Sequence, residues 1–426
     1  MTFLKRTAFC LGLIAFQLSA QELKQDGARS QDWAALRHTG YAAFQAGDYA
    51  TAASDFEEAL PLARTPEQRA ATLTDIGFSL SELGRMKKAL EKLRPALSMW
   101  REIDARGDGA AKAAMWTGNV QRSIGEFAEA ERTLRTALDA SPRERASHAA
   151  LLNALASLLQ EQGRSAEARE KFEAALRLSP AAGENRMYAL IGLGDTERVT
   201  REWQPAIEHL NEAITVAKQM RDAGVEAAAL RNLGNTYTQM GDLAKAEYLL
   251  RRAVAILEAM PVLQFQYEAT LICVGILYQA EKKYGLAEDS YTRALSKKGG
   301  LDAADARSAL PLQYLAILFA QQKRFREARD LANRARSIMT AAFGAESVPA
   351  AGALGTIAVV ETLAGEFDSA ERCYAESFRI MRDDGVLNSD AALDVISEYA
   401  RALRKVHRRR DARAVEAQLK ALRGPS

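Results

Sequence analysis

Cysteine, histidine and aromatic residues are scarce in this chain of 426 residues, which contains 3 cysteines, 4 histidines and 7% aromatics. A zinc site needs three or four ligands close together, and the histidines are widely separated: His38, His148, His209 and His407. The sequence also lacks a G-x-x-x-x-G-K phosphate loop and a G-x-S-x-G nucleophile turn. We therefore predict no catalytic residue, no metal and no cofactor.

The first twenty residues differ from the rest of the chain. Lys5 and Arg6 precede an almost wholly apolar run at residues 7–16, and a small residue, Ala20, lies at the plausible cleavage point. This order is typical of a secretory signal peptide, and the apolar run is too short to span a bilayer. We predict a signal peptide at residues 1–20, a short linker at 21–30 and a periplasmic mature protein. An uncleaved membrane anchor is the alternative.

The charge of the chain is unevenly distributed. The formal net charge of +2 includes Lys5 and Arg6, so residues 21–426 carry 55 basic and 55 acidic residues. Residues 401–426 hold nine Lys and Arg against Asp411 and Glu416, which leaves residues 21–400 at −7. Nucleic-acid binding needs a basic surface, so the sequence predicts no nucleic-acid partner. The basic run at residues 407–410 is interpreted as part of a solvated final helix.

One pattern of small residues recurs every 37 to 42 residues. Each copy has a Gly or Ala, an Ala twelve residues later, and usually another Ala seven residues after that. The ten middle alanines are Ala52, Ala89, Ala130, Ala168, Ala206, Ala246, Ala287, Ala328, Ala370 and Ala412. A fixed period of this length indicates stacked units of secondary structure.

The sixth copy shows why each period predicts two helices. Apolar residues at helical spacing surround Gly234 and end at Gly241, a residue that permits a left-handed helix end. Asp242 can then cap a second helix, predicted at residues 245–257. The small residues Gly234 and Ala246 are expected where two helices approach closely. In the tenth copy Glu416 replaces the usual apolar residue, which is typical of a terminal capping unit.

These residues resemble the tetratricopeptide repeat over residues 31–424, in the long-helix form of kinesin light chains and many bacterial exported repeat proteins. The sixth copy reads Leu230, Leu233, Gly234, Tyr237, Ala246, Leu250, Ala253, and Pro142 and Pro180 close the third and fourth copies. The resemblance implies an all-α, right-handed solenoid of about ten helical hairpins. Cys273 and Cys373 then lie two repeats apart, beyond the roughly 7 Å limit for bridged Cα atoms, so we predict unpaired buried thiols.

The resemblance also implies that the first helix of each hairpin lines a binding groove. The predicted groove residues are Asn119, Arg122, Asn153, Asp195, Arg198, Arg231, Asn235, Gln239, Ile272, Ile276 and Ile317, accompanied by Val359, Gln279 and Gln313. Asn can bond both polar groups of an extended peptide, and Arg can bind a carboxylate. Arg231, Asn235 and Ile276 are expected to face solvent. The alternative interpretation is a polar, solvated face without a ligand.

The predicted function is therefore a non-enzymatic scaffold of the bacterial envelope that binds a protein or peptide in the groove, with no requirement for membrane contact. Arg231 and Asn235 resemble the first part of the carboxylate clamp of chaperone-binding repeats, but Cys273 stands where the clamp needs an amide. That specificity is not assigned. A structural subunit of an envelope assembly is the first alternative, and an unrecognised enzyme is the second.

Overall fold

A computed structural model describes residues 29–260, 263–295, 306–387 and 389–423. The predicted signal peptide and most of the predicted linker lie outside these residues. The described residues form twenty α-helices in ten consecutive hairpins, and no strand occurs among them. The prediction of an all-α solenoid of about ten hairpins is confirmed.

The helix bounds alternate regularly along the chain. The first helices of the hairpins are α1 (Arg29–Gln45), α3 (Pro66–Glu82), α5 (Asp108–Ser123), α7 (Ala146–Glu161), α9 (Glu184–Thr200), α11 (Ala223–Met240), α13 (Gln264–Ala280), α15 (Ala309–Gln321), α17 (Val348–Ala364) and α19 (Asp390–Lys405). The second helices are α2 (Tyr49–Ala59), α4 (Met86–Asp104), α6 (Phe127–Ala140), α8 (Ser165–Leu178), α10 (Trp203–Gln219), α12 (Leu243–Glu258), α14 (Tyr284–Leu295), α16 (Phe325–Phe343), α18 (Phe367–Asp383) and α20 (Arg409–Arg423).

The periodic small residues hold the two helices of each hairpin together. All ten middle alanines are at most 1% exposed. A Cβ added to Gly118 would lie 2.7 Å from Leu134 Cγ, and one added to Gly234 would lie 2.7 Å from Leu250 Cγ. Both distances are shorter than ordinary contact, so a side chain at either glycine would overlap the leucine that packs against it from the facing helix. The close approach predicted at Gly234 is confirmed.

The last hairpin differs from the others, as its sequence predicts. Positions equivalent to Glu416 are buried in the first eight copies, whereas Glu416 is partly exposed and accepts a hydrogen bond from Arg404 Nη2 at 2.7 Å. Arg408 lies over the Phe367 ring at 4.8 Å and pairs with Glu371 at 3.0 Å. One member of the basic run therefore helps to attach this hairpin to the preceding one.

Consecutive hairpins stack by packing the second helix of one against the first helix of the next, and their first helices also contact each other. From α3 to α19, each first helix contacts the first helix of the next hairpin, whereas no extensive contact joins consecutive second helices within the described ranges. The first helices therefore form the inner face of the solenoid, a name used below for the surface they share. Among the residues that the structure describes, no helix is long and apolar enough to cross a membrane.

Both cysteines outside the N-terminal segment are unpaired, as expected. Cys273 is buried, but Cys373 is only partly buried, so the prediction of two buried thiols is wrong for Cys373. Cys373 lies on a second helix, where one side of the helix faces outward, and this explains its exposure.

Candidate functional site

All the predicted groove residues lie on first helices, from α5 to α15. They differ widely in exposure. Gln239 is exposed, and the half-buried members are Asn119, Asn235, Ile276 and Ile317. The buried members are Arg122, Asn153, Asp195, Arg198, Arg231 and Ile272. The inner face is therefore more enclosed than a surface of solvated polar side chains.

Arg122 and Asn153 each combine a satisfied polar atom with an unsatisfied one. Arg122 Nη1 donates to Glu161 on α7, while Arg122 Nε is buried without a hydrogen-bond partner. Asn153 Nδ2 donates to the carbonyl oxygen of Asn185 at 2.9 Å, while Asn153 Oδ1 is buried without a partner. A buried polar atom that lacks a partner costs about 1–3 kcal/mol. Both atoms have almost no exposed surface, so a ligand could provide their missing partners only when the two side chains turn toward the inner face.

Asp195 and Arg198 belong to a network between α7 and α9. Gln160 Nε2 donates to Asp195 Oδ2 at 2.5 Å, and Arg198 Nη2 donates to Asp195 Oδ1 at 2.9 Å. Asp195 is 2% exposed. These contacts connect the fourth hairpin to the fifth, so the two predicted groove residues also have a structural role.

Arg231 and Asn235 lie beside a cysteine. Asn235 Nδ2 donates to Cys273 Sγ at 3.3 Å, from α11 to α13, and burial raises the pKa of the Cys273 thiol. Arg231 is only 9% exposed, so the expectation that it faces solvent is wrong. Its position brings it close enough to Cys273 for its charge to oppose the rise in the thiol pKa. Asn235 and Ile276 are half-buried rather than fully solvated.

The first helices of the seventh to ninth hairpins carry few charged residues. Helix α15 has no charged residue, and α13 and α17 have one each, Glu268 and Glu361. Ile276 and Ile317 are partly exposed there, while Ile272 and Val359 are buried. This part of the face can bind apolar side chains.

The glutamines of this part are also engaged by neighbours. Gln279 accepts a hydrogen bond from Tyr291 at 3.0 Å, and Gln313 accepts one from Thr356 at 3.0 Å. Tyr291 stacks on Tyr314 with ring centroids 5.5 Å apart. These polar side chains therefore position the walls of the apolar region.

A charged cluster that the sequence did not predict lies at the other end of the inner face. Asp75 on α3 accepts hydrogen bonds from Arg37 Nη2 at 2.5 Å and Tyr41 Oη at 2.8 Å, both on α1. Lys112 Nζ on α5 lies 3.4 Å from the other carboxylate oxygen. Burial opposes ionisation, yet the charges of Lys112 and Arg37 keep the pKa of Asp75 below its usual value. The available signal was a single charge inside the apolar stretch that surrounds Asp75.

Aromatic side chains form a stack beside this cluster. The ring centroids of Phe44 and Phe78 are 4.4 Å apart, and those of Phe78 and Trp116 are 3.8 Å apart. The stack joins the first helices of hairpins one to three, because one ring comes from each of α1, α3 and α5. The two ends of the inner face therefore differ: charged and aromatic at the first three hairpins, aliphatic at the seventh to ninth.

No three His, Cys, Asp or Glu side chains come together in a metal-binding arrangement within the part of the chain that the structure describes. His209 instead pairs with Glu197, with 2.8 Å between Nδ1 and Oε2, and His148 Nδ1 lies 3.2 Å from the Ser141 carbonyl oxygen. The hydrogen bond with Glu197 raises the pKa of His209. Each of these two histidines thus contacts a residue that lies close to it in the sequence.

Comparison with solved structures finds the same kind of fold. A Rap protein crystallised with competence and sporulation factor is 11% identical, with a TM-score of 0.57 over 84% of this chain and 98% of the other. A tetratricopeptide repeat protein from Parabacteroides merdae ATCC 43184 is 16% identical (TM-score 0.44, covering 66% and 99%). A putative kinesin light chain from Podosopora anserina is 18% identical (TM-score 0.38, covering 46% and 97%).

No curated protein matches the sequence. Family models described as tetratricopeptide repeat match residues 68–143, 147–219, 186–259 and 302–383, and a second such model matches residues 17–68. These matches cover more than half of the chain and agree with the paired helices, the buried alanines and the close contacts at glycine. The chain belongs to the tetratricopeptide repeat family.

Proposed function

We propose that this protein is an exported scaffold that binds an extended segment of a partner protein along the inner face. Tetratricopeptide repeat proteins are generally scaffolds for protein interactions rather than enzymes. Stacked repeats provide long binding surfaces of this kind. The location in the envelope is proposed from the basic and apolar residues at positions 5–16.

The observation that carries the proposal is the pair of buried, unsatisfied atoms Arg122 Nε and Asn153 Oδ1. An extended peptide exposes a carbonyl oxygen and an N–H at every residue other than proline. When the two side chains turn toward the inner face, one carbonyl could accept from Arg122 Nε, and one N–H could donate to Asn153 Oδ1. Further along the inner face, the partly exposed Ile276 and Ile317 could contact apolar side chains of the same segment.

Peptides selected from a random display library against residues 21–426 test this proposal. We expect selected peptides to bind the wild-type chain, and Arg122→Lys and Asn153→Ala each to weaken binding by about 0.5–1.5 kcal/mol, the net value of one hydrogen bond. Arg122→Lys removes the Nε donor but keeps a cation beside Glu161. Fluorescence anisotropy with a labelled selected peptide measures the affinity.

Two variants on second helices serve as matched controls. Asn211 on α10 and Arg132 on α6 are exposed, away from the inner face. Asn211→Ala and Arg132→Lys should leave the affinity unchanged. Equal losses in test and control variants, or unchanged binding in both test variants, would show that the peptide does not bind at Arg122 and Asn153.

A further inference from the structure

Four positions on the second helix of the ninth hairpin contact the tenth hairpin. They hold Phe367, Glu371, Tyr374 and Phe378. Arg408 of the tenth hairpin lies over the Phe367 ring at 4.8 Å and pairs with Glu371 at 3.0 Å. Tyr374 stacks on Tyr399 with ring centroids 4.2 Å apart, and Phe378 packs against a buried cluster drawn mainly from the tenth hairpin. These positions therefore form the surface on which the following hairpin packs.

The tenth hairpin has charged residues at all four equivalent positions, which are Arg409, Arg413, Glu416 and Lys420. Their spacing of four, three and four residues places them on one side of α20. Arg409, Arg413 and Lys420 are exposed. This surface is called the end face below. Because charged side chains replace three aromatic ones, the end face is not suited to packing against another hairpin.

The end face has an excess of positive charge. Its one carboxylate, Glu416, accepts a hydrogen bond from Arg404 Nη2 at 2.7 Å, so that negative charge is already matched. Arg409, Arg413 and Lys420 form no ion pair with an acidic side chain of the described residues. A terminal hairpin needs a polar outer surface, but charges of both signs would satisfy that need. The unpaired charges here are all cations.

The charge of the remaining hairpins is opposite to that of the last one. Residues 21–400 carry −7, whereas nine Lys and Arg against two acidic residues give residues 401–426 a charge of +7. Lys405 and Arg410, in the same hairpin as the end face, are also exposed and form no ion pair. An anionic surface would repel the acidic hairpins if they lay along it. Contact through the end face keeps those hairpins stacked behind the last one, so the charge separation favours an end-on contact.

We propose that the end face docks on a membrane surface that bears anionic lipid headgroups. Phosphate oxygens of the headgroups are acceptors, and Arg and Lys bind them through charge-assisted hydrogen bonds. Clusters of Lys and Arg on a helix are attracted to anionic membranes in this way. A bilayer presents a plane that only the end of the solenoid touches, whereas a long nucleic acid would also extend past the acidic hairpins. This inference goes beyond the proposed function, because it uses a surface other than the inner face.

Sedimentation of lipid vesicles with the full mature chain tests this inference. One set of vesicles contains phosphatidylcholine alone, and in the other set about one third of the lipid is phosphatidylglycerol. At about 0.05 M NaCl we expect the chain to bind the anionic vesicles about tenfold or more tightly than the neutral ones. Most of this preference should be lost at about 0.5 M NaCl, because salt screens contacts between exposed charges.

A triple variant assigns the preference to the end face. Arg409→Gln, Arg413→Gln and Lys420→Gln together remove its three unpaired cations without breaking an ion pair, so the fold should survive, as circular dichroism would verify. One cation near an anionic membrane contributes on the order of fivefold in affinity. The triple variant should therefore lose most of the preference for anionic vesicles.

A second triple variant serves as the matched control. Arg85, Lys87 and Lys88 lie at the start of the second helix α4, and all three are exposed cations that form no ion pair among the described residues. Replacing all three by Gln changes the net charge by the same amount as in the end-face variant. The control variant should keep most of the preference for anionic vesicles.

Equal binding of the wild-type chain to both kinds of vesicle would overturn this inference, and so would equal losses in the two triple variants. Binding to a short DNA duplex that the end-face variant abolishes, without a preference for anionic vesicles, would instead assign the face to a nucleic acid. A larger assembly in the absence of vesicles that the end-face variant abolishes would assign it to a second copy of the chain. Either result would contradict docking on a membrane.

Discussion

Single residues in the left-handed conformation form the turn within every hairpin. All ten turns contain one residue with positive φ, and six of these are glycines: Gly47, Gly84, Gly125, Gly163, Gly241 and Gly365. The other four are Arg201, Lys282, Lys323 and His407, with φ between 60° and 65°. Left-handed backbone costs a residue with a side chain about 1–2 kcal/mol. Four of the ten turns are therefore strained at a known position.

Lys323→Gly should stabilise the protein. Lys323 is exposed, with a φ of 64°, and glycine adopts this conformation without steric cost. Because glycine also adds about 0.5–1 kcal/mol of backbone entropy to the unfolded chain, we expect a net gain of about 0.5–1 kcal/mol. Urea unfolding followed by circular dichroism measures the change. Gly241→Ala, at a φ of 85°, is the reciprocal variant and should destabilise, and a loss of stability in Lys323→Gly would contradict the assignment of strain.

The effect of adding a methyl group should depend on which helical glycine is replaced. Gly118→Ala places a Cβ 2.7 Å from Leu134 Cγ, so we expect destabilisation by about 1–3 kcal/mol from overpacking. Gly352 lies inside α17 with nothing within 4 Å of an added Cβ, so Gly352→Ala should stabilise by up to about 1 kcal/mol through helix propensity. Thermal melts of both variants test this difference in sign, and two changes of the same sign would disprove it.

At the scale of helices, ion pairs of a recurring geometry join five pairs of consecutive hairpins within the described ranges. In each pair, one residue directly follows the middle alanine of a copy. The other residue lies four positions before the middle alanine of the next copy. The pairs are Glu131–Arg164 at 2.7 Å, Arg169–Glu202 at 2.9 Å, Glu288–Arg324 at 3.0 Å, Arg329–Glu366 at 3.9 Å and Glu371–Arg408 at 3.0 Å. The acidic residue comes first in the sequence in some pairs and second in others. Complementary charge is therefore what these positions share.

Exchanging the charges of one pair should preserve the junction. Arg169→Glu alone should destabilise by about 0.5–1 kcal/mol, because Glu202 would then face a like charge at a partly exposed site. The double variant Arg169→Glu with Glu202→Arg should recover most of this loss. Chemical denaturation of the wild type, both single variants and the double variant gives the coupling energy. The stability changes of the two single variants can be added to give an expected value for the double variant. A double variant that is no more stable than this value would argue against direct pairing.

The pair between His209 and Glu197 should make stability depend on pH. The hydrogen bond with Glu197, on the facing helix of the same hairpin, raises the pKa of His209 above 6.5. The stabilising contribution is then complete below pH 6.5 and is lost as the pH rises through the folded-state pKa. The melting temperature of the wild type should exceed that of His209→Gln by more at pH 5.5 than at pH 8.5. An equal difference at both pH values would contradict the prediction.

At the scale of the whole molecule, the period of small residues predicted the hairpins because the determinants are local. Gly234 and Leu250 meet within one repeat, and the helix predicted at residues 245–257 is observed as α12, Leu243–Glu258. The contacts on the inner face join different repeats. Asp75 meets side chains from the hairpins before and after its own, and Arg231 lies near Cys273 of the next hairpin. Equivalent positions in a repeat do not specify which long side chains will pair, so the burial of Arg231 could not be foreseen.

Export is the remaining test of location. Mass spectrometry of the protein from its native host should find a mature N-terminus near Gln21, since a basic pair, an apolar run and a small residue precede it. Cell fractionation provides the control, with known cytosolic and envelope proteins as markers. Intact chains that begin at Met1 in the cytosolic fraction would exclude the proposed envelope location but would leave the binding proposal untouched.

The packing of the first helices has a mechanical consequence. The first helices contact one another from α3 to α19, whereas consecutive second helices meet mainly through side-chain ion pairs such as Glu131–Arg164. The line of first helices can therefore act as a hinge axis. The partly exposed ion pairs between hairpins would resist rotation about that axis, and dissolved salt screens such pairs. We therefore expect the solenoid to behave as a spring whose bending stiffness falls as ionic strength rises, while its buried alanine and leucine contacts keep each hairpin rigid.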